Sequence, residues 1–147
     1  MNKRIFCALS ALFCIVLLTG CGGYGPVLRA NWDLTLPTGC REVYETDSGE
    51  SFHGDGERYH VFSLEDAGAV EEELTAWAGE AGRDAADTEM ADLAEELLTE
   101  LEVAAEERPD YGKCLCWSAV GAGDSRDRIL LFLDGGAGKL YVVERFI

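Results

Sequence analysis

The chain has 147 residues and a formal charge of −16, with 28 acidic side chains against 12 basic ones. That balance excludes nucleic acid as a partner, because phosphate binding needs clustered lysine and arginine. The length suits one domain with a real hydrophobic core rather than two.

Lys3 and Arg4 precede an uncharged run from Ile5 to Leu18, the size of a signal-peptide apolar region and shorter than a comfortable membrane span. Leu18-Thr19-Gly20-Cys21 closes that run. The arrangement resembles the lipobox of bacterial lipoproteins. The resemblance implies cleavage before Cys21, lipidation of its sulfur, acyl chains such as palmitate, and a position on the extracytoplasmic face of the cell membrane. Two acyl chains, at ~0.8 kcal/mol per buried methylene, make a stable anchor where one would not. An ordinary secretory leader is the alternative, and it would leave Cys21 a plain thiol. Residues 1–20 are therefore expected to form the signal peptide, residues 21–32 the lipid anchor and a flexible spacer, and residues 33–147 a single domain. The spacer can reach at most ~35 Å, so the domain works close to the bilayer. The leader holds Lys3 and Arg4 and no acid, so the remainder is two units more negative than the whole chain. Such a charge holds the domain off anionic lipid and leaves the anchor to do the holding.

Beyond the spacer, Arg41 to Thr46 has strand character around Val43 and Tyr44, and Arg58 to Phe62 reads as a second strand. The Gly-rich stretch from Asp47 to Gly56 joins them as a hairpin, with Asp55-Gly56 a strong turn pair. Ser63-Leu64-Glu65-Asp66 has the spacing of a capping box, and Val70, Leu74, Trp77, Ala78 and Ala81 follow at helical intervals. Asp87 is placed to cap a second helix with Met90, Leu93, Leu97, Leu101 and Ala104 in one stripe, stopped by Pro109. The period then changes to two through Lys113–Val120, Arg128–Asp134 and Leu140–Phe146. Ile129 to Leu133 is apolar on both faces and reads as a central strand, and Asp134 to Lys139 as a hairpin turn. The order ββααβββ predicts an α+β fold: an antiparallel sheet of about five strands with two amphipathic helices on one face.

Three cysteines, Cys40, Cys114 and Cys116, lie beyond the leader and the lipidation site. In an exported protein Cys40 can pair with Cys114 or Cys116, leaving one thiol over; small buried hydrophobes are the competing reading. A zinc site from these cysteines and a histidine is disfavoured, since Cys-x-Cys lacks the usual ligand spacing. No metal and no cofactor is expected.

The most site-like segment is Ser51-Phe52-His53-Gly54-Asp55-Gly56-Glu57, where two glycines frame a histidine and an aspartate. His53 and Asp55, with His60 nearby, form the candidate catalytic set for base-assisted hydrolysis. The favoured reading is that the glycines shape a turn and that these residues are not catalytic. The run from Phe52 to Glu57 also resembles a segment of small proteins of Gram-positive bacteria, a likeness of about ten residues that brings no activity with it. Gly135 to Lys139 imitates a phosphate loop, but Leu140 stands where serine or threonine is needed.

From Glu65 to Glu107 there are sixteen acidic residues and one basic residue, Arg83. Like charges such as Asp92 with Glu96 and Glu96 with Glu100 cost a few tenths of a kcal/mol each on a helix. Attraction of a cationic partner would repay that, since such a field steers opposite charge. These features lead to a membrane-anchored, non-catalytic binding or interaction domain of the bacterial cell envelope. An envelope hydrolase using His53 and Asp55, or an immunity-type lipoprotein that captures a cationic peptide, are the alternatives.

Overall fold

The computed structural model of the chain describes residues 23–49, 55–79 and 88–147. A short helix, α1 (Gly25–Trp32), leads into the hairpin of β1 (Cys40–Asp47) and β2 (Gly56–Leu64). Two helices follow, α2 (Ala67–Ala78) and α3 (Thr88–Glu100), and then β3 (Leu115–Val120), β4 (Arg128–Asp134) and β5 (Lys139–Phe146). The strands form one sheet in the order β1-β2-β5-β4-β3, each neighbouring pair antiparallel. The α+β class, the five strands and the ββααβββ order agree with the sequence pattern, with α1 added in front.

The placing of both helices on one face does not hold. Val70 and Leu74 of α2 pack with Leu28 and Trp32 of α1 against Phe62, Ile129, Leu131 and Val142. Ala94, Leu97 and Leu98 of α3 pack on the opposite face, against Tyr59, Val61, Leu130, Phe132 and Val143. The reason lies in β4 and β5, whose consecutive residues Ile129–Leu133 and Leu140–Val143 are all buried. A strand apolar on both faces needs cover on both, and one layer of helices supplies only one.

Residues 25–32, expected to belong to the flexible spacer, form α1 instead. Pro26 sits in its first turn, where the missing N–H costs nothing. Leu28 and Trp32, one turn apart, point into the core. Asp33, at φ 54°, ends the helix, its N–H bonded to the Arg29 carbonyl and that of Leu34 to Leu28. The folded domain thus begins ahead of residue 33.

At α2 the cap is Asp66, whose carboxylate accepts from the Ala69 N–H, and not Ser63, which still belongs to β2. α3 stops at Glu100, well short of Pro109: Glu102 turns into the left-handed region, and the Val103 N–H returns to the Leu98 carbonyl. Arg108 seals this end by donating to the carbonyls of Leu98 and Val103 and to the Glu95 carboxylate. The expected cap at Asp87 lies outside the described residues.

Candidate functional site

Polar and ionisable side chains gather at the β1–β2–β5 side of the face that α1 covers. The register sets them. Glu45 stands opposite His60 and Asp47 opposite Arg58 across β1 and β2, while Arg58 faces Glu144 across β2 and β5. Between Glu42 and Tyr44 the β1–β2 register shifts by one residue, at Val43. Residues three apart would otherwise point to opposite faces, so this bulge turns Glu42 and Glu45 to the same side.

α1 closes over the cluster. The Tyr24 ring stacks on the His60 imidazole, centroids 3.5 Å apart and planes within 14°. The Tyr24 hydroxyl accepts from Arg58 Nη1 at 3.1 Å, and the Arg58 guanidinium lies over the Phe146 ring, 4.9 Å from its centroid. At the other end of α1, the Trp32 indole donates to Glu144 Oε1.

His60 is buried, with 5% of its surface exposed, and its Nδ1 lies 2.5 Å from Glu42 Oε1. Burial pushes its pKa down to about 4, against the pull of Glu45 and Asp47 and with the help of Arg58. At neutral pH the contact is therefore a hydrogen bond from a neutral ring in its Nδ1–H tautomer to the carboxylate, rather than an ion pair. Burial also raises the pKa of Glu42 and, more deeply placed, of Glu144. The Tyr24 hydroxyl, the Trp32 indole and Arg58 draw Glu144 back toward ionisation. Its side chain is fully buried, and Oε2 lacks a well-formed hydrogen bond although the Tyr24 hydroxyl lies near.

The residues singled out from sequence are not brought together. His53 and the lipidation candidate Cys21 lie outside the described residues, while Asp55 is exposed just before β2. His60 is five residues further along an extended strand, about 16 Å at ~3.3 Å per residue, and is covered by Tyr24. It is therefore no partner for Asp55 in catalysis. Gly56, at φ 133°, fits the turn reading: a Cβ there would meet Ser48 Oγ, which accepts from the Glu57 N–H.

Nor can Cys40 bond to Cys114 or Cys116. Cys40 begins β1 at one edge of the sheet, while Cys116 is on β3 at the other edge, with Cys114 just before it. Four strand spacings put the edges about 19 Å apart, far beyond disulfide reach. None of the three is in a disulfide; Cys114 and Cys116 do share a face, buried under α3, where burial raises the Cys114 thiol to about 12.

The acidic helical surface has a shape of its own. Between α3 and the β3–β4 edge runs a groove of about 470 Å³, with Met90, Leu93 and Leu130 in its floor and Glu89, Asp92 and Glu96 along its rim. Arg128 contributes one positive charge. Among the described residues, no helix is long and apolar enough to cross a membrane.

Glu42, Glu144 and Tyr24 were missed as parts of a site because nothing in their local sequence marks them. Glu144 alone carries a signal, as a carboxylate that directly follows the apolar run Leu140–Val143 in β5. No protein-family model, no curated protein and no solved structure matches the chain.

Proposed function

We propose that this protein is a lipid-anchored domain on the outer face of the cell membrane that acts by binding rather than by catalysis. The observation that carries this reading is the nearness of the lipobox to the folded domain: Cys21 is four residues ahead of α1. Four residues span at most ~14 Å, so an acylated Cys21 would hold the domain directly over the bilayer. The buried, neutral and covered state of His60 also speaks for binding over hydrolysis. The hydrolase alternative then rests on His53 and Asp55 alone.

A cationic, amphipathic peptide is the partner that the groove beside α3 favours. Carboxylates at its rim supply long-range attraction, while Met90, Leu93 and Leu130 offer apolar contact at short range. The immunity-type reading is a special case in which the captured peptide is toxic.

One experiment with two arms tests both statements. Fractionation of Cys21→Ser should find the protein as unprocessed precursor or released from membranes, and normal retention of a cleaved mutant would end the anchor reading. A cationic amphipathic peptide titrated against the wild-type chain should bind tenfold or more weakly as salt rises, because exposed charges are screened over ~8 Å at physiological ionic strength. Equal affinity at low and high salt would remove the electrostatic partner and leave the anchor standing.

A further inference from the structure

Glu42, Glu45 and His60 bring one donor atom each to within 4.8 Å of one another at the β1–β2 edge. We propose that these three side chains hold a first-row divalent cation of the zinc or manganese kind. The donor set decides the class of ion: one imidazole nitrogen with two carboxylate oxygens suits borderline ions, whereas calcium and magnesium prefer all-oxygen shells.

The geometry is built by features that a solvated hairpin edge does not need. The bulge at Val43 interrupts the β1–β2 ladder and leaves Val43 itself 47% exposed, and its effect is to put Glu42 and Glu45 on the face of His60. Tyr24 lies flat on the imidazole, which fixes the ring plane. Nδ1 already faces Glu42 Oε1. To bind metal there, the ring carries its proton on Nε2, and the hydrogen bond to Glu42 is exchanged for two bonds to the ion.

Charge and access agree with this. Two carboxylates match one divalent ion in charge. Of the opposing charges, Arg58 lies two residues from His60 along β2; Asp47 and Glu144 face it from the neighbouring strands, and it is engaged by the Tyr24 hydroxyl and the Phe146 ring. Glu45 is exposed, and a cavity of about 420 Å³ lined by Gly23, Cys40, Glu42 and Phe62 adjoins the site. Three protein ligands with open space beside them leave room for water or a further ligand on the ion.

The test uses the full chain, purified in detergent and stripped with chelator, carrying Cys40→Ser so that the accessible thiol next to the site does not compete. Calorimetric titration with Zn²⁺ should show one equivalent bound, and Zn²⁺ should raise the melting temperature. Glu45→Gln, an exposed change that leaves the fold intact, should weaken Zn²⁺ at least tenfold, and His60→Gln should do so by more. Ca²⁺ at the same concentration should not displace the bound ion. Absence of a saturable site at millimolar Zn²⁺, an affinity unchanged by Glu45→Gln, or equal competition by Ca²⁺ would each overturn the proposal, the last by reducing it to general attraction to an acidic surface.

Discussion

The two faces of the sheet are covered by amphipathic helices of the same general kind, yet they bury different chemistry. Under α3, the polar groups packed beneath the helix are phenols and a thiol: the Tyr59 hydroxyl donates to the Glu107 carbonyl, Tyr111 donates to Glu95, and the Cys114 thiol donates to the Asp110 carbonyl; the buried carboxylate on that side, Asp134, stands at the β4–β5 turn and accepts from the Ala137 N–H. Burial pushes both phenols and the thiol upward, so none of them changes charge near neutral pH. Under α1, by contrast, an imidazole, a glutamate and a guanidinium crowd together, two of them almost wholly buried. A face built for stability alone has no use for that arrangement, since buried carboxylates cost more than apolar residues of the same volume. The difference marks the α1 face as the one carrying a site.

The apolar layers on the two faces should contribute alike to stability. Leu74 of α2 and Leu98 of α3 are both fully buried, one on each face. Leu74→Ala and Leu98→Ala should each cost about 2–5 kcal/mol, the usual range for a buried leucine. Denaturant unfolding of the two variants checks this. A loss below ~1 kcal/mol for either would mean that its face is loosely packed and that the sheet is stabilised mainly from the other side.

Acid should then separate the faces. The His60 pKa is about 4 in the fold, against 6.5 for a free histidine, so between those values the unfolded chain binds the extra proton. Stability from this group is therefore fully present above pH 6.5 and is lost as pH falls through 4, a shift worth on the order of 3 kcal/mol. Glu144 and Glu42 work in the opposite direction. Their folded pKa values are raised, so the native state holds protons that the unfolded chain releases, and stability falls as pH climbs through the range above the ordinary carboxylate value. Melting followed by circular dichroism in metal-free buffer should show the acid-side loss in the wild type and a flatter profile in His60→Gln. Glu144→Gln keeps an acceptor for the Trp32 indole while removing the charge, and its stability relative to wild type should rise as pH climbs above the ordinary carboxylate range. An unchanged acid limb in His60→Gln would assign the pH response to groups elsewhere.

What the sequence disclosed, and what it hid, follows the same division. The elements were legible because periodicity reports burial: the two-residue alternation after Pro109 located β3, β4 and β5 to within a residue or two, and the doubly apolar run at Ile129–Leu133 does lie between two neighbours in the sheet. α1 was concealed by the glycines at 22, 23 and 25, although Pro26 in the first turn and the Leu28–Trp32 spacing were its signals. The faces were not legible, because an amphipathic stripe says that a helix packs and not which side of a sheet receives it. The α1 cluster was invisible for a related reason. His60, Glu42 and Glu144 come from three strands, and their meeting depends on strand order and on a bulge at Val43, neither of which leaves a local mark. The segment Phe52–Glu57 reads as a site because its residues are adjacent in sequence, and adjacency is a poor guide to convergence when the nearby His60 is carried away along an extended strand.

The helices on the two faces end in the same way. α1 and α3 both close through a residue in the left-handed region, Asp33 and Glu102, each at φ 54° and each exposed. Left-handed backbone costs an ordinary L-residue about 1–2 kcal/mol, whereas glycine adopts it freely at the expense of greater freedom in the unfolded chain. Aspartate tolerates that region better than glutamate, because its short side chain can bond locally. Glu102→Gly should therefore stabilise the protein by about 0.5–1 kcal/mol, helped by removal of a negative charge from the C-terminal end of α3. Asp33→Gly should gain less, or nothing. Chemical denaturation of the two variants side by side measures the difference directly. If Asp33→Gly stabilised as much as Glu102→Gly, side-chain identity would not matter at these caps, and the closing turn of α1 would be as strained as that of α3. That result would make the covering of the α1 face weaker than its packing indicates, with Tyr24 and Trp32 held over the ionisable cluster by a helix under strain at its end.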